Sequence, residues 1–467
     1  MADRVRRSVW SLAPGDMTLH WYGRAVEALR GRASSNQTSW VYLAAIHNAP
    51  AASGAATHWR QCQHQSWFFL PWHRGYLACF EAIVGATVAE LGGPVDWALP
   101  YWNYSESLQQ QPNARLIPPP FRNRNLPNGT PNFLWAPRAQ APGGDFGFTD
   151  DVVSLEALDV RAFTMSGFQP GFGGPVTGFS LGGNESGALE ERPHNWIHGI
   201  LGGQNGFMSF TTTAALDPIF WLHHCNLDRL WEVWRNMGDG RQSPAQAAWR
   251  TDQRFSIPRS QADSFSFATA DMLDTTKILH GYRYDSVAPA VEPAAAPGLE
   301  AVAMAQQPDL VGASEGLALE GAVTKAAVPI RRDESARFGL ESAVPARVHL
   351  QLDAITGLGA PGNFRVLVGA EGTEPTHVAG QFSTFGLETA SDPTANHGKL
   401  GLTKTFDITH LAQPLGLHRA DRTRLEIAFE RLPLRPTEEA EAPGLESVAP
   451  PPRAASIRIG RINLYFQ

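Results

Sequence analysis

Apolar positions recur at helical spacing through the first part of the chain and at every second residue through the last. The stretches Thr18 to Arg32, Gly75 to Leu91 and Asp217 to Met237 carry the helical pattern, and Asp217-Pro218 is a start signal for the third. Later, Arg347-Val348-His349-Leu350-Gln351-Leu352, Phe364-Arg365-Val366-Leu367-Val368, Arg424-Leu425-Glu426-Ile427-Ala428-Phe429 and Ile457-Arg458-Ile459-Gly460-Arg461-Ile462 alternate between apolar and polar. Period-two runs separated by Gly, Pro and Asn turns predict an antiparallel β-sandwich. Between the two patterns, Ala, Pro, Gly and Glu dominate Val287 to Gln307, which is poor material for a core and reads as a linker. At 467 residues the chain exceeds the usual size of one domain. The expected architecture is a mainly α domain, a helical bundle, over 1–285, a linker over 286–342, and an all-β C-terminal sandwich over 343–467.

The helical part also holds six histidines in two triplets: His47, His64 and His73, then His194, His198 and His224. Four-residue spacing puts His194 and His198 on one face of a helix, where they can share a metal. His224 lies in the apolar run after Asp217-Pro218, and its neighbour His223 points about 100° away on a helix, so only one of the two can serve. His47 follows the helix-like run Trp40 to Ile46, His64 follows a Gly/Ala/Ser-rich loop containing Gly54, and His73 opens a helix after Pro71. Imidazole suits copper, zinc, iron and nickel alike. The absence of an acidic cluster beside these histidines argues against magnesium, calcium, manganese and the two-metal hydrolases. Each triplet can hold one copper, a two-copper oxygen-activating arrangement. His20, His58, His280, His349, His377, His397, His410 and His418 lack metal spacing, although the loop before His64 can bring His58 near the site.

These residues resemble the type-3 copper proteins, which comprise tyrosinases, catechol oxidases and molluscan-type haemocyanins. The likeness lies in His64 to Glu81 with its core Phe69-Leu70-Pro71-Trp72-His73-Arg74, in Pro193 to His198, and in Asp217 to Trp231. It implies copper A on His47, His64 and His73 and copper B on His194, His198 and His224, with O2 as co-substrate and small phenols as substrates. His223 is then left to hydrogen bonding or the core. The resemblance further implies a catalytic first domain and a C-terminal domain able to act as a lid. Tyr282-Arg283-Tyr284 is similar to the Tyr-x-Tyr signature that closes the family's catalytic domain and engages an early arginine, here Arg6 or Arg7.

Flanking residues bear on which reaction survives. A phenol with a pKa near 10 needs a base at neutral pH, and Glu190 with Asn195 resembles the family's pair for holding a basic water. Glu191 and Glu185 are rivals, and all three carboxylates also suit a helix N-terminus. Cys62, two before His64, matches the cysteine that forms a thioether to that ring in fungal members; the alternative is a small buried thiol. Thr211 matches the position where some relatives place a bulky aromatic over copper A, with Phe210 or Met208 in its place if the register slips. Together with Gly199, a threonine there implies open access to substrate. Asp228 is a candidate partner for a metal-bound imidazole or for Arg229. In Gln381-Phe382-Ser383-Thr384-Phe385-Gly386, Phe382 or Phe385 is a candidate lid plug, unless both are simply core, and cutting the linker is then expected to raise activity.

Net charge of −7 and a pI near 6.1 provide no basic patch for nucleic acid. Met1 to Arg7 lacks an apolar signal region and no stretch is long enough for a bilayer, so a cytoplasmic location without membrane contact is expected, export with a partner aside. Cys62, Cys79 and Cys225 build no disulfide framework. The oligomeric state stays open. The expected activity is that of a tyrosinase, which hydroxylates monophenols and oxidises o-diphenols to o-quinones. Catechol or o-aminophenol oxidase is the nearer alternative and a haemocyanin-like oxygen carrier the farther one.

Overall fold

The computed structural model describes residues 4–48, 58–59, 61–179, 183–288, 308–331, 347–394, 400–419, 421–438, 441–445 and 456–467. They fall into two compact units. Met1–Leu181, Ser186–Ala294 and Arg435–Pro452 form the first; Gly182–Glu185, Ala295–Leu434 and Arg453–Gln467 form the second.

The first unit is built on helices α1 (Thr18–Arg30), α2 (Trp40–His47), α3 (Phe69–Glu90), α4 (Trp196–Gly202) and α5 (Pro218–Asn236). Ser39 caps α2 by accepting the Tyr42 N–H. Asp217 does the same for α5 through Ile219, with Pro218 in the first turn. Helix α3 begins at Phe69, six residues before the Gly75 of the expected stretch, because Pro71 sits in the first turn, where its missing N–H costs no helical bond. Helices α3 and α5 pack together, with the Phe80 ring stacked on Trp221 at 3.5 Å. At Gly75 a Cβ would stand 2.2 Å from the Phe267 ring, so only glycine admits the neighbouring hairpin.

That hairpin pairs β2 (Arg254–Pro258) with β3 (Ser264–Ala268), while β1 (Val5–Arg6) runs parallel to β4 (Arg283–Tyr284). The β1–β4 pairing buries Arg6. Its guanidinium reaches Glu81 on α3 at 2.8 Å, Asp228 on α5 at 3.2 Å and the Tyr284 hydroxyl at 3.1 Å, and it lies 3.5 Å over the Tyr282 ring. Arg6 is therefore the arginine that meets the Tyr-x-Tyr, and Arg7 turns instead to Asp16 and Thr18.

The second unit is an antiparallel sandwich of β5 (Asp309–Ala318), β6 (Val323–Pro329), β7 (Val348–Leu358), β8 (Asn363–Ala370), β9 (His377–Ser383), β10 (Leu402–Asp407), β11 (Arg424–Leu432) and β12 (Ser456–Phe466). The sheet orders are β10-β7-β12-β5 and β6-β11-β8-β9. Leu350, Leu352, Ile459 and Leu464 from one sheet meet Val366, Val368, Ile427 and Phe429 from the other in a single core. Each of the four period-two runs lies in a strand, and the last of them runs on through Leu464 and Tyr465.

Two sequence expectations about organisation need correction. The stretch 286–342 is not all linker, since β5 and β6 lie inside it. They are outer strands, mostly half-buried or exposed and with little apolar alternation, so a pattern search has nothing to register. Residues 289–307 and 332–342 of that stretch, and the loop around Gly54, lie outside the described residues. The second correction is that the first unit does not end near 285: Arg435–Pro452 returns to it. Phe382, a candidate lid plug or core residue, stacks its ring on Phe364 at 5.1 Å within the sandwich core. Phe385 is buried just beyond β9. No helix among the described residues is long and apolar enough to cross a membrane.

Candidate dinuclear metal centre

The six imidazoles arrive from separate elements. His47 ends α2, His73 is in the first turns of α3, His224 is in α5, and His64 lies in the coil before α3. His194 closes the π-type turn Glu190–Asn195 that runs into α4, so His198 follows it on the same face with ring centroids 4.6 Å apart. His47, Cys62, His64 and His73 offer ligand atoms all within 4.8 Å of one another, and so do His194, His198, His223 and His224. The two groups face each other: the His73 and His224 rings stack at 4.4 Å and 6°, and His64 lies 5.8 Å from His194.

Backbone carbonyls set the tautomers. Nδ1 of His47 lies 2.8 Å from the Thr211 oxygen, Nδ1 of His73 2.8 Å from Phe69 and Nδ1 of His198 2.9 Å from Met208. A carbonyl can only accept, so each Nδ1 carries the proton and each Nε2 keeps its lone pair. His194 Nδ1 meets the Asn195 side-chain oxygen at 2.9 Å in the same way. Nε2 of His47 and of His73, and both ring nitrogens of His224, are buried without a hydrogen-bond partner. Unmet buried polar atoms cost about 1–3 kcal/mol each, and a cation would satisfy the nitrogens of this set that carry lone pairs.

Burial also holds these rings neutral. It pushes His47 down to about 4 and His194 down to about 3, and it keeps His64, His73, His198 and His224 well below the ordinary imidazole value. Neutral imidazole is the form that binds metal. A donor set of buried neutral nitrogens in two facing groups fits a pair of nitrogen-preferring transition metals, copper among them.

His223 also belongs to the second group by distance, but its Nδ1 lies 3.0 Å from the Tyr104 hydroxyl. His58 is not in either group: Tyr42 and Ser264 hold its two nitrogens at 2.9 Å each. Cys62 is buried with Sγ 3.3 Å from His64 Nδ1. The Glu190 carboxylate accepts the Gln65 N–H at 2.9 and 3.0 Å, which ties the residue after His64 to one four places before His194. Asn195 donates to Ser186 at 3.2 Å and to Glu191 at 3.3 Å. The remaining rival, Glu185, belongs to the sandwich unit, where burial and then Asp353 push its carboxyl up.

Met208, Phe210, Thr211 and Gly199 are all buried. Two of these residues expected to govern substrate access do something that sequence did not suggest: Thr211 and Met208 orient His47 and His198 through their main-chain oxygens. Asp228 pairs with neither a ligand imidazole nor Arg229. It takes Arg74, Arg6 and the hydroxyls of Tyr282 (2.7 Å) and Tyr284, while Arg229 turns to the Ser286 carbonyl. One turn after His224 it shares that residue's helix face but sits further along α5, where it meets Arg74 of α3 rather than an imidazole.

Phe69 and Phe220 were also missed. The Phe69 ring touches His73 at 4.6 Å and His194 at 4.9 Å; the Phe220 ring touches His224 at 4.2 Å and His47 at 4.9 Å. Each phenyl contacts both triplets, walling the centre with apolar surface. Each precedes a ligand candidate by four residues, and that helical spacing is the signal that could have found them.

Comparison with known proteins agrees with this geometry. Residues 37–237 match the family model described as the common central domain of tyrosinase, and residues 307–467 match a domain of unknown function (DUF7868). A tyrosinase from Hahella sp. (strain CCB-MM4) is 36% identical over 440 residues, covering 87% of this chain and 90% of the relative. Aureusidin synthase of Antirrhinum majus is 28% identical over 311 residues, 61% of this chain and 52% of that protein. The structure of latent apple tyrosinase superposes with a TM-score of 0.59 at 19% identity, covering 100% of this chain and 98% of the other, which shows a shared fold. With two facing histidine triplets and a near-full-length tyrosinase relative, the chain belongs to the tyrosinase family of type-3 copper proteins.

Proposed function

We propose that the protein is a copper-dependent tyrosinase that hydroxylates monophenols at the ortho position and oxidises o-diphenols to o-quinones with O2. The observation that carries this reading is the pair of facing, buried, neutral imidazole triplets. Two bound coppers supply the oxygen activation and electron transfer that no side chain here can supply. Copper A is assigned to His47, His64 and His73, and copper B to His194, His198 and His224.

The surrounding residues have separable tasks. Carbonyls of Thr211, Phe69 and Met208 fix ring orientation, and Phe69 and Phe220 exclude water. Phenol must lose its hydroxyl proton, and at neutral pH a group with a pKa near 10 is about one part in a thousand ionised. Glu190 is assigned as the group that accepts this proton, through a water shared with Asn195. It is a buried carboxylate bonded beside His64 and one turn ahead of His194, which places it next to both triplets. Thr211 and Gly199 are assigned to the wall beside the phenol ring, where small side chains leave room. The linker between the units is proposed as the site where cutting relieves a restrained state, by analogy with the latent form of the apple enzyme.

Oxygen uptake by the copper-loaded chain tests the reading. Consumption with tyrosine and with a catechol is expected, and Glu190→Gln is expected to slow tyrosine turnover about 10²- to 10⁴-fold more than catechol turnover. Uptake with the catechol alone makes the protein a catechol oxidase; uptake with neither makes it a carrier.

A further inference from the structure

The segment that leaves the sandwich after β11 and returns to the first unit grips one turn of chain. Thr437 Oγ accepts the Asn205 N–H at 2.7 Å and donates to the Gly202 carbonyl at 3.2 Å. The Arg435 carbonyl accepts the Gln204 N–H at 3.2 Å. Thr437 also bridges to Ala139, while the Pro436 carbonyl takes the Gln140 N–H at 2.8 Å and Glu438 donates to the Arg138 carbonyl at 2.8 Å. The fit is close: at Gly203, with φ +64°, a Cβ would stand 2.6 Å from the Arg435 oxygen. Further along, Arg435 donates to the Asp145 carbonyl at 2.6 Å, and Arg30 donates to the Pro443 carbonyl at 2.8 Å.

The gripped turn, 202–206, is the link between His198 and the group that orients it. His198 lies in α4, which ends at Gly202. Past the turn, Ser209 donates to the Gly203 carbonyl at 2.6 Å, and the Met208 carbonyl reaches back to His198 Nδ1 at 2.9 Å. A ring orientation set by a carbonyl ten residues later depends on the conformation of the turn between them. Thr437 takes the Asn205 N–H of that turn and shares the Gly202 carbonyl with the Gly206 N–H, which lies 2.9 Å from it.

We propose that Thr437 is a positioning residue for the copper-B half of the centre: by fixing the turn 202–206 it sets the Met208 carbonyl, and through it the imidazole of His198. The inference rests on His198 being a copper ligand. It assigns part of the metal site to a residue two hundred positions beyond the matched central domain, inside a stretch described as a domain of unknown function. A cut in the linker leaves this strap in place, whereas a chain ended after the helical part would lack it.

The test titrates copper into the metal-free full-length chain against a competing chelator, which resolves the two binding steps. Thr437→Val, which keeps the shape and removes both bonds, is expected to weaken one step about tenfold and leave the other unchanged, as partners of ligand residues do. Thr437→Ser, which keeps the hydroxyl, is expected to restore the native value. Hydrogen exchange at the Asn205 amide is expected to quicken in Thr437→Val with or without copper, so this readout survives even if the assigned function fails. Arg435→Gln, which loosens the strap from Asp145, is expected to move the same step in the same direction. Unchanged copper binding in Thr437→Val, equal loss in both steps, or a Ser variant as weak as the Val variant would overturn the proposal.

Discussion

The two histidine triplets reach similar geometry by different means. The first draws one residue from the end of a helix, one from coil and one from another helix, so nothing in its secondary structure fixes the coil residue. The second rests wholly on helical or π-type backbone, with His194 and His198 one turn apart, yet it depends on a turn held from a distant part of the sequence. His64 is held from both near and far: Cys62, two residues before it, lies against its ring, and Glu190, far along the sequence, binds the next residue's N–H. A coil ligand and a helical ligand thus each rely on a partner distant in the sequence, and only the coil ligand adds a contact from two residues away.

What the triplets share is the framework behind them. Arg74, next to His73, pairs with Asp228, one turn past His224, and Arg6 joins Glu81 on α3 to the same aspartate. Burial pushes the Asp228 carboxyl up, but Arg74, Arg6 and the Tyr284 hydroxyl hold it below its ordinary range. The largest expected effect is therefore Asp228→Ala, which takes one carboxylate from two buried guanidinium groups, leaving Arg6 with Glu81 and Arg74 with Glu232, at a cost of about 3–5 kcal/mol. Chemical denaturation is expected to show this loss together with weakened binding of both coppers; weakening of only one would separate the frameworks. Because the folded-state pKa lies below the unfolded one, the Asp228 contribution is full above about pH 4 and fades as pH falls through the lower folded value. The denaturation midpoint of Asp228→Ala should accordingly converge on that of the native chain in acid.

A smaller effect sharpens the contrast between the triplets. If Cys62 and His64 join as a thioether, the native chain stripped of copper weighs two hydrogens less than its sequence and Cys62 resists alkylation. Cys62→Ser is then expected to weaken copper A about tenfold and leave copper B alone, the mirror image of Thr437→Val. A full-weight native chain with an alkylatable Cys62 would remove the covalent tether from the comparison.

Most of the centre was legible because it is made of side chains at helical spacing. His194 and His198 announce a shared face, and Asp217-Pro218 announces the helix of His224. The main-chain oxygens of Met208 and Thr211 were not legible, since any residue supplies a carbonyl and only the folded turn aims it. The role of Asp228 was misread because spacing from His224 gives its separation along the helix but not which neighbour it faces. In the sandwich, buried alternation marked β7, β8, β11 and β12, whereas β5 and β6 are outer strands with only one fully buried residue each and carry no such signature. The return of Arg435–Pro452 was hidden for a third reason: its grip is mostly through backbone groups of Arg435, Pro436 and Glu438, with Thr437 alone contributing a side-chain hydroxyl at the turn.

The central claim is that each triplet holds one copper and that both coppers are needed. The most direct measurement is the copper content of the native chain, His73→Ala and His194→Ala, taken with oxygen uptake on a catechol. The expected result is two, one and one copper per chain, with uptake only in the native protein. Two coppers retained in either variant, or undiminished uptake with one, would contradict the account.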